Sequence, residues 1–273
     1  MNLDIIKQKL DSLNKQSSNS QGGERKQLFW KPSVGKQTVR VVPFKYNKDY
    51  PFTEMKFYYN IGKFRMLASP LNWDEKDPIA EFAKQLRGTN DKENWRLAKK
   101  LDPKTRIFVP VVVRGQESEG VQMWEFGKLI YEAFLNLAAD EEVGDFTDIV
   151  NGRDIKLVTT GPDTNGTKYN ATTISPSMRQ TPLSTDKAQV ETFLNDQQNP
   201  KEIYRPLPFD TLKSALQDWL SPEEEEEGDI VSEQAEAFDD EKVDSNYSLS
   251  TKKKETKADK FDQMFEDESD FPF

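Results

Sequence analysis

Apolar and polar positions alternate most clearly along R-I-F-V-P-V-V-V, residues 106–113. Read with period two, Ile107, Val109, Val111 and Val113 form an apolar face fit for a core. Arg106, Phe108 and Pro110 fall on the opposite face, with Arg114 just beyond the end. Gln37 to Phe44 predicts a first core strand, with Val39 and Val41 on one face and Arg40 on the other. Val121 to Phe126 predicts another, placing Gln122, Trp124 and Phe126 together. Arg153 to Thr160 and Thr167 to Ile174 read as a hairpin joined by the turn-rich G-P-D-T-N-G, with Tyr169 on one face and Lys168 on the other. Tyr50 to Arg65 is aromatic and basic and turns at Ile61-Gly62-Lys63-Phe64-Arg65. The pattern does not sort which of Phe57, Tyr58, Tyr59 and Phe64 face inward.

Between these strands the period changes to that of helices. Ser69 to Leu101 reads as a helical insertion. Asp77 is the N-cap, Pro78 the first helical residue, Ile79, Phe82, Ala83 and Leu86 the stripe, and Gly88 the close. A second helix from Asp91 carries Trp95, Arg96, Ala98, Lys99 and Lys100. Gly127 opens a helix with the stripe Leu129, Ile130, Ala133, Phe134 and Leu137. Two more cover about Asp186 to Asp196 and a segment capped by Asp210, with Leu212, Ala215, Leu216 and Trp219 inward. At the start, Leu3, Ile6, Leu10 and Leu13 recur at helical intervals among Lys7, Lys9 and Lys15. The polar linker from Ser17 to Gly23 tethers this arm, whose stripe must dock on a neighbouring copy or on the chain's own core. The fold class is therefore mainly β with helical insertions.

Charge divides the chain more sharply than hydropathy does. From Ser221 to Phe273 there are 19 acidic and 6 basic residues, whereas Arg25 to Arg114 holds 20 basic against 9 acidic. A basic body with an acidic tail is the asymmetry expected of a nucleic-acid binder whose tail regulates access or meets partners. The tail cannot support a core and is expected to be disordered. Yet it ends in F-D-Q-M-F-E-D-E-S-D-F-P-F, where Phe265, Asp267, Glu268, Asp270, Phe271, Pro272 and Phe273 mix carboxylates with rings. That composition suits a peptide docking into basic, hydrophobic pockets.

The chain has no Cys and no His. Disulfides, thiolate nucleophiles, the triad histidine and the usual zinc ligands are thereby excluded. With no apolar run near the ~20 residues of a membrane span, and no signal-peptide core, a soluble intracellular protein is expected and no membrane partner. At 273 residues the chain can bury one good core or two. A strand with Arg106 and Phe108 on its non-core face has two readings. It is an ordinary strand with a solvated face, or one wall of a single-stranded nucleic-acid groove, with cations for phosphates and a ring for a base.

Six segments tip that balance: T-V-R-V-V-P (38–43), G-K-F (62–64), K-E-N-W-R-L-A-K-K (92–100), R-I-F-V-P-V-V-V-R (106–114), W-E-F-G-K-L-I (124–130) and T-K-Y-N (167–170). In order and spacing they resemble the single-stranded DNA-binding, helix-destabilising proteins of T4-type bacteriophages. The resemblance implies an OB-fold core over residues 24–220, a self-associating arm over 1–23 and a partner-binding acidic tail over 221–273. It implies sequence-independent binding and protection of single-stranded DNA in phage replication, recombination and repair, without catalysis or cofactor, in the host cytoplasm. Arg40 matches a phosphate-contacting arginine, Trp95, Phe108, Trp124 and Tyr169 match cleft aromatics, and Lys99, Lys100, Lys104 and Arg106 match the basic cluster. The turn residues Lys63, Phe64 and Arg65, with Arg114, complete the expected phosphate and stacking set. Implied partners are neighbouring copies of the chain and, through the tail, replication and recombination proteins such as a polymerase, a helicase loader and a recombinase mediator.

The departures are also informative. The family's structural zinc uses one His and three Cys, but here the corresponding stretch reads Asp77-Pro78-Ile79-Ala80, so no zinc is expected and helix packing by Ile79, Phe82 and Leu86 replaces it. The arm lacks a clear copy of the family's basic, hydroxyl-rich self-association cluster; the nearest match, Ser250 to Lys254, lies in the tail. Three other functions stay open: an RNA-binding or chaperone OB protein, a scaffold protein, and an enzyme using Asp74/Glu75/Asp77 or Asp140/Glu141/Glu142 with a divalent metal.

Overall fold

The computed structural model describes residues 28–220, apart from Lys48 and Asn90. The expected arm (1–23) and acidic tail (221–273) lie outside the described residues. Within them, one 8-stranded sheet comprises β1 (Phe29–Trp30), β2 (Gly35–Val41), β3 (Thr53–Ile61), β4 (Phe64–Ala68), β5 (Lys104–Val113), β6 (Gln122–Phe126), β7 (Arg153–Thr160) and β8 (Ala171–Gln180). The helices are α1 (Pro78–Gly88), α2 (Lys92–Lys100), α3 (Lys128–Ala139), α4 (Pro162–Asn165), α5 (Lys187–Asn195), α6 (Pro200–Ile203) and α7 (Phe209–Leu220).

Strand β5 is the hub. β6 runs along one edge, antiparallel from Ile107↔Phe126 to Val111↔Gln122. The other edge is shared: β3 pairs with its first half (Phe57↔Lys104 to Thr53↔Phe108) and β2 with its last (Val41↔Val111 to Val39↔Val113). Pro110 sits where one neighbour leaves and the next arrives. A missing N–H is tolerated there, and its carbonyl accepts from Val42 N at 3.0 Å. β2 then pairs with β7, and β7 with β8, all antiparallel. Only β1 on β6 is parallel among the described strands.

The period-two face of β5 packs as expected. Ile107, Val109, Val111 and Val113 join Val39, Val41, Trp124, Phe126, Ile155 and Leu157 in the main core, closed by Phe134 of α3. Tyr131 of α3 donates to Glu54 at 2.6 Å and tethers that helix to β3. The expected α3 stripe needs one correction: Leu129 is 71 % exposed, because Phe134, Ile130 and Leu137 already fill the space against the sheet.

A second core gathers the helical insertion. Ile79, Phe82, Ala83 and Leu86 of α1 and Ala98 of α2 meet Leu212, Ala215 and Leu216 of α7 and Tyr58, Ile61 and Leu67 of β3 and β4. Asp77 caps α1 as its sequence suggests, accepting from Ile79 N at 3.0 Å and Ala80 N at 3.2 Å, with Pro78 first in the helix. Asp210 is not a cap, since α7 already starts at Phe209. The β7–β8 hairpin also departs from expectation. Its second strand starts at Ala171, so Thr167 and Tyr169 lie in the loop, where Asn165 Nδ2 donates to the Tyr169 carbonyl at 2.8 Å.

Candidate nucleic-acid interface

The face of β5 opposite the main core carries Lys104, Arg106 and Phe108 in succession. The pairings place Phe57 beside Lys104, Met55 beside Arg106, and Glu125 beside Phe108. One end of this face is closed: Phe44, Met55, Phe57, Phe108 and Met123 form a small core of their own. The other end opens to solvent at Tyr59, Met66 and Lys104. Lys104 Nζ lies 5.7 Å from the Tyr59 ring centroid. Arg106 Nε donates to Glu125 Oε1 at 2.8 Å, with both side chains about a quarter exposed or less.

Tyr204, which follows α6, lies over the junction between the closed and open ends. Its ring is 4.9 Å from Phe57, 5.6 Å from Phe108 and 6.0 Å from Phe29, centroid to centroid. Burial pushes its phenol up to about 12, helped by the charges of Glu125 and Tyr59 and opposed by Arg106. Three strands and a distant connecting segment thus bring two tyrosines, two cations and a carboxylate to one place.

Helix α2 contributes a second group. Asp91 caps it by accepting from Glu93 N at 2.9 Å, and Asn94 and Ala98 face inward. That leaves Trp95 51 % exposed, with Arg96, Lys99 and Lys100 also outward. Trp95 and Lys99 are one turn apart, and Lys99 Nζ lies 5.8 Å from the indole. Lys99 and Lys100 end the helix, where its dipole favours cations.

The β3–β4 turn presents a third pair, Lys63 Nζ at 5.5 Å from the Phe64 ring. Gly62 fixes this turn. Its φ is +52°, and a Cβ there would come 2.7 Å from the Ala215 carbonyl oxygen of α7. Arg65 is exposed beyond it, and Phe64 is half-buried against the helical core. A fourth pair, Lys45 over Tyr46 at 5.9 Å, had no periodic signal to mark it.

Several expected contacts are corrected by burial. Arg40 is 0 % exposed and cannot reach a phosphate. Its Nη1 meets Asp154 and Thr181 Oγ1 at 3.3 Å, and its Nη2 donates to the carbonyls of Asp148 at 2.8 Å and Thr181 at 2.7 Å. Gly152 makes room for it: a Cβ there would lie 2.4 Å from Arg40 Nη2. Arg114 belongs to the same clamp, donating to Asp154 at 2.8 Å and to the Leu183 carbonyl at 2.8 Å. Beside it lies an open cavity of about 530 Å³ lined by Asp154 and Glu117 as well, which answer its charge. Phe108 and Trp124 are buried at 0 % and 1 %, Phe108 by the ring cluster under Tyr204 and Trp124 in the main core, so neither stacks on a base here. Tyr169 keeps a partly exposed ring, but on the loop before β8.

Residues missed by periodicity share one trait. Tyr59 stands in a run of three rings, Tyr204 in a short connection, and Glu125 between two buried aromatics, so no repeat distinguishes them. The pairing now sorts the run. Phe57 is buried with Phe108, Tyr58 donates to Asp77 Oδ2 at 2.9 Å, and Tyr59 faces Lys104.

A zinc ion does not fit these residues. The chain has neither Cys nor His. Asp77, at the start of the stretch matching the ligand pair, spends Oδ1 on the two α1 amides and Oδ2 on Tyr58 and on Ser69 Oγ, the latter at 2.6 Å. Asp140 likewise accepts from Glu142 N at 2.9 Å, as the turn after α3 requires. Among the described residues, no group of three or more acidic side chains is arranged to hold a metal ion.

No helix among the described residues is long and apolar enough to cross a membrane. No curated protein matches the chain. A family model, described as gp32 DNA binding protein like, matches residues 33–221. That span exceeds half of the chain and takes in Tyr59, Trp95, Lys99, Lys104, Arg106 and Tyr204. The chain belongs to the gp32 DNA binding protein-like family and is a single-stranded DNA-binding protein of that type.

Proposed function

We propose that this protein coats and protects single-stranded DNA, without sequence preference, during phage DNA replication, recombination and repair. The observation that carries the reading is the repeated pairing of a cation with a partly exposed ring: Lys104 with Tyr59, Lys99 with Trp95, and Lys63 with Phe64. Each pair holds phosphate and base chemistry within one nucleotide's reach. We take the sheet that β5 organises as an OB-type barrel, with α3 closing its core and the α1–α2–α7 lobe beside its binding face.

Binding is electrostatic first. If the face neutralises ~4–6 phosphates, log K falls with log salt at a slope of roughly -3 to -4. Stacking then adds ~1–3 kcal/mol per base and tolerates every base, since each has a π-face. Binding the unpaired strand but not the duplex pulls the melting equilibrium by mass action, which makes the protein helix-destabilising. No step of this asks for catalysis or a cofactor.

The two flanking segments take regulatory roles in this reading. Leu3, Ile6, Leu10 and Leu13 dock the arm on a neighbouring copy and make binding cooperative. The tail, with its net negative charge, competes with DNA for the basic face. When displaced, it offers its Phe265 to Phe273 peptide to replication and recombination proteins in the host cytoplasm. Removing residues 221–273 should raise affinity at low salt; unchanged affinity and salt slope would refute the tail's role.

The decisive experiment is a tryptophan-fluorescence titration with oligo(dT), oligo(U) and a duplex of equal length at several salt concentrations. Quenching by oligo(dT) in preference to the duplex, lost in Trp95→Phe, supports the reading. Preference for oligo(U) would identify an RNA-binding OB protein instead, the 2′-hydroxyl being the discriminator. No quenching at low salt, even without the tail, would leave a scaffold protein.

A further inference from the structure

Tyr204 is not among the residues that the motifs or the strand pattern mark for binding, yet its surroundings single it out. Its ring is locked by Phe57, Phe108 and Phe29, at 4.9, 5.6 and 6.0 Å. Its hydroxyl makes no hydrogen bond among the described residues. A held ring with an unused donor is costly to bury, and nearly all such hydroxyls find a partner. This one stays partly exposed, close enough to Glu125, Arg106 and Tyr59 for their charges to act on it.

Arg106 next to it is not idle either. Its Nε is engaged by Glu125 at 2.8 Å on the same face. An arginine held by a partly exposed carboxylate is oriented and neutralised at once. A phosphate, which arginine also binds in a forked geometry, can replace that carboxylate without a change of rotamer class.

We propose that Tyr204, Arg106 and Glu125 form one nucleotide subsite, in which a strand phosphate displaces Glu125 from Arg106 and accepts a hydrogen bond from the Tyr204 hydroxyl. Glu125 is the resident counterion of Arg106. It keeps Arg106 aimed and holds down affinity for stray anions. Tyr59, under Lys104, supplies the adjoining ring for the base. The subsite rests on the reading of this face as a single-stranded DNA interface and adds two residues to it.

The test compares the full chain with Tyr204→Phe and Glu125→Gln by fluorescence titration with oligo(dT) across a salt series. Tyr204→Phe keeps the ring contacts and removes only the donor, so affinity falls about tenfold while the salt slope stays the same. Glu125→Gln keeps an acceptor for Arg106 but removes the charge that a phosphate must displace. Affinity then rises several-fold at low salt, and the slope steepens by up to ~0.7, because no released carboxylate recaptures a cation. Urea midpoints of both variants verify folding. If the unaltered chain binds oligo(dT) and either variant titrates like it, the subsite is overturned and the broader function stands. If the unaltered chain fails to bind at low salt, both fall together.

Discussion

Lys104 Nζ stands 5.7 Å from the centre of the Tyr59 ring, across the pairing that sets Lys104 opposite Phe57. The two residues come from different strands, with α1 and α2 between them in the chain. A cation–π contact at an exposed site contributes only ~0.5–1 kcal/mol. That is enough to preset the side chains and too little to hold them against a phosphate and a base.

Replacing Lys104 with Ala should therefore weaken oligo(dT) binding about equally for every sequence tested and make the salt slope shallower by ~0.7. Titrations in parallel with oligo(dT) and oligo(dA) at three or more salt concentrations measure both effects. A sequence-dependent loss would mean that Lys104 reads bases rather than neutralising a phosphate.

Trp95→Ala should cost ~1–3 kcal/mol of binding, the worth of one stacked base. Because Trp95 is 51 % exposed, unfolding free energy should move by no more than ~0.5 kcal/mol. Urea denaturation beside the DNA titration separates these, and a large stability loss with normal binding would mark the indole as structural.

Arg40→Ala should behave in the opposite way. It leaves the carbonyls of Asp148 and Thr181 without their buried donor and removes one of the two arginines on Asp154, a loss of about 3–5 kcal/mol of stability. The folded fraction should keep the salt slope of the unaltered protein. A shallower slope with unchanged stability would restore Arg40 to the interface.

Asp77→Ala should destabilise the helical lobe by about 2–4 kcal/mol: about 1 for the lost α1 cap and the rest for Tyr58 and Ser69 left without a buried partner. Hydrogen exchange should rise first in α1. Adding zinc or a chelator to the unaltered protein should leave the thermal midpoint in place.

Tyr204 links stability to alkaline pH. Its phenol titrates near 12 in the folded protein against about 10 in an unfolded chain. A raised folded-state value means that the contribution is fully present below pH 10 and is lost as pH rises toward 12. Tyr204→Phe should flatten the fall in urea midpoint between pH 10 and 12; an identical fall would show that other groups govern it.

Local chemistry was plainly legible in this chain. Asp77-Pro78 starts a helix because a carboxylate accepts from free amides and proline needs no donor there. Asp91 and Asp186 do the same for α2 and α5. The alternation of β5 predicted which valines enter the main core. What alternation cannot show is whether the second face is covered, since that depends on segments far away in sequence. Phe108 looked like a wall of a groove, but Tyr204, Phe29 and Phe57 close over it. Trp124 looked like a cleft ring, but α3 brings Phe134 to it at 5.8 Å.

By itself, the sequence determined the strand and helix types, the basic body and acidic finish, the absence of thiol and imidazole chemistry, and the family. These follow from near-neighbour preferences and from composition, which need no partner at long range. Only the tertiary structure decided which cations remain available. Arg40 and Arg106 each lie on the non-core face of a strand, and their local patterns are alike. Folding brings Asp154 and two carbonyls onto a fully buried Arg40, where leaving would strand a buried charge. It brings to Arg106 the partly exposed carboxylate of Glu125, which a phosphate can replace.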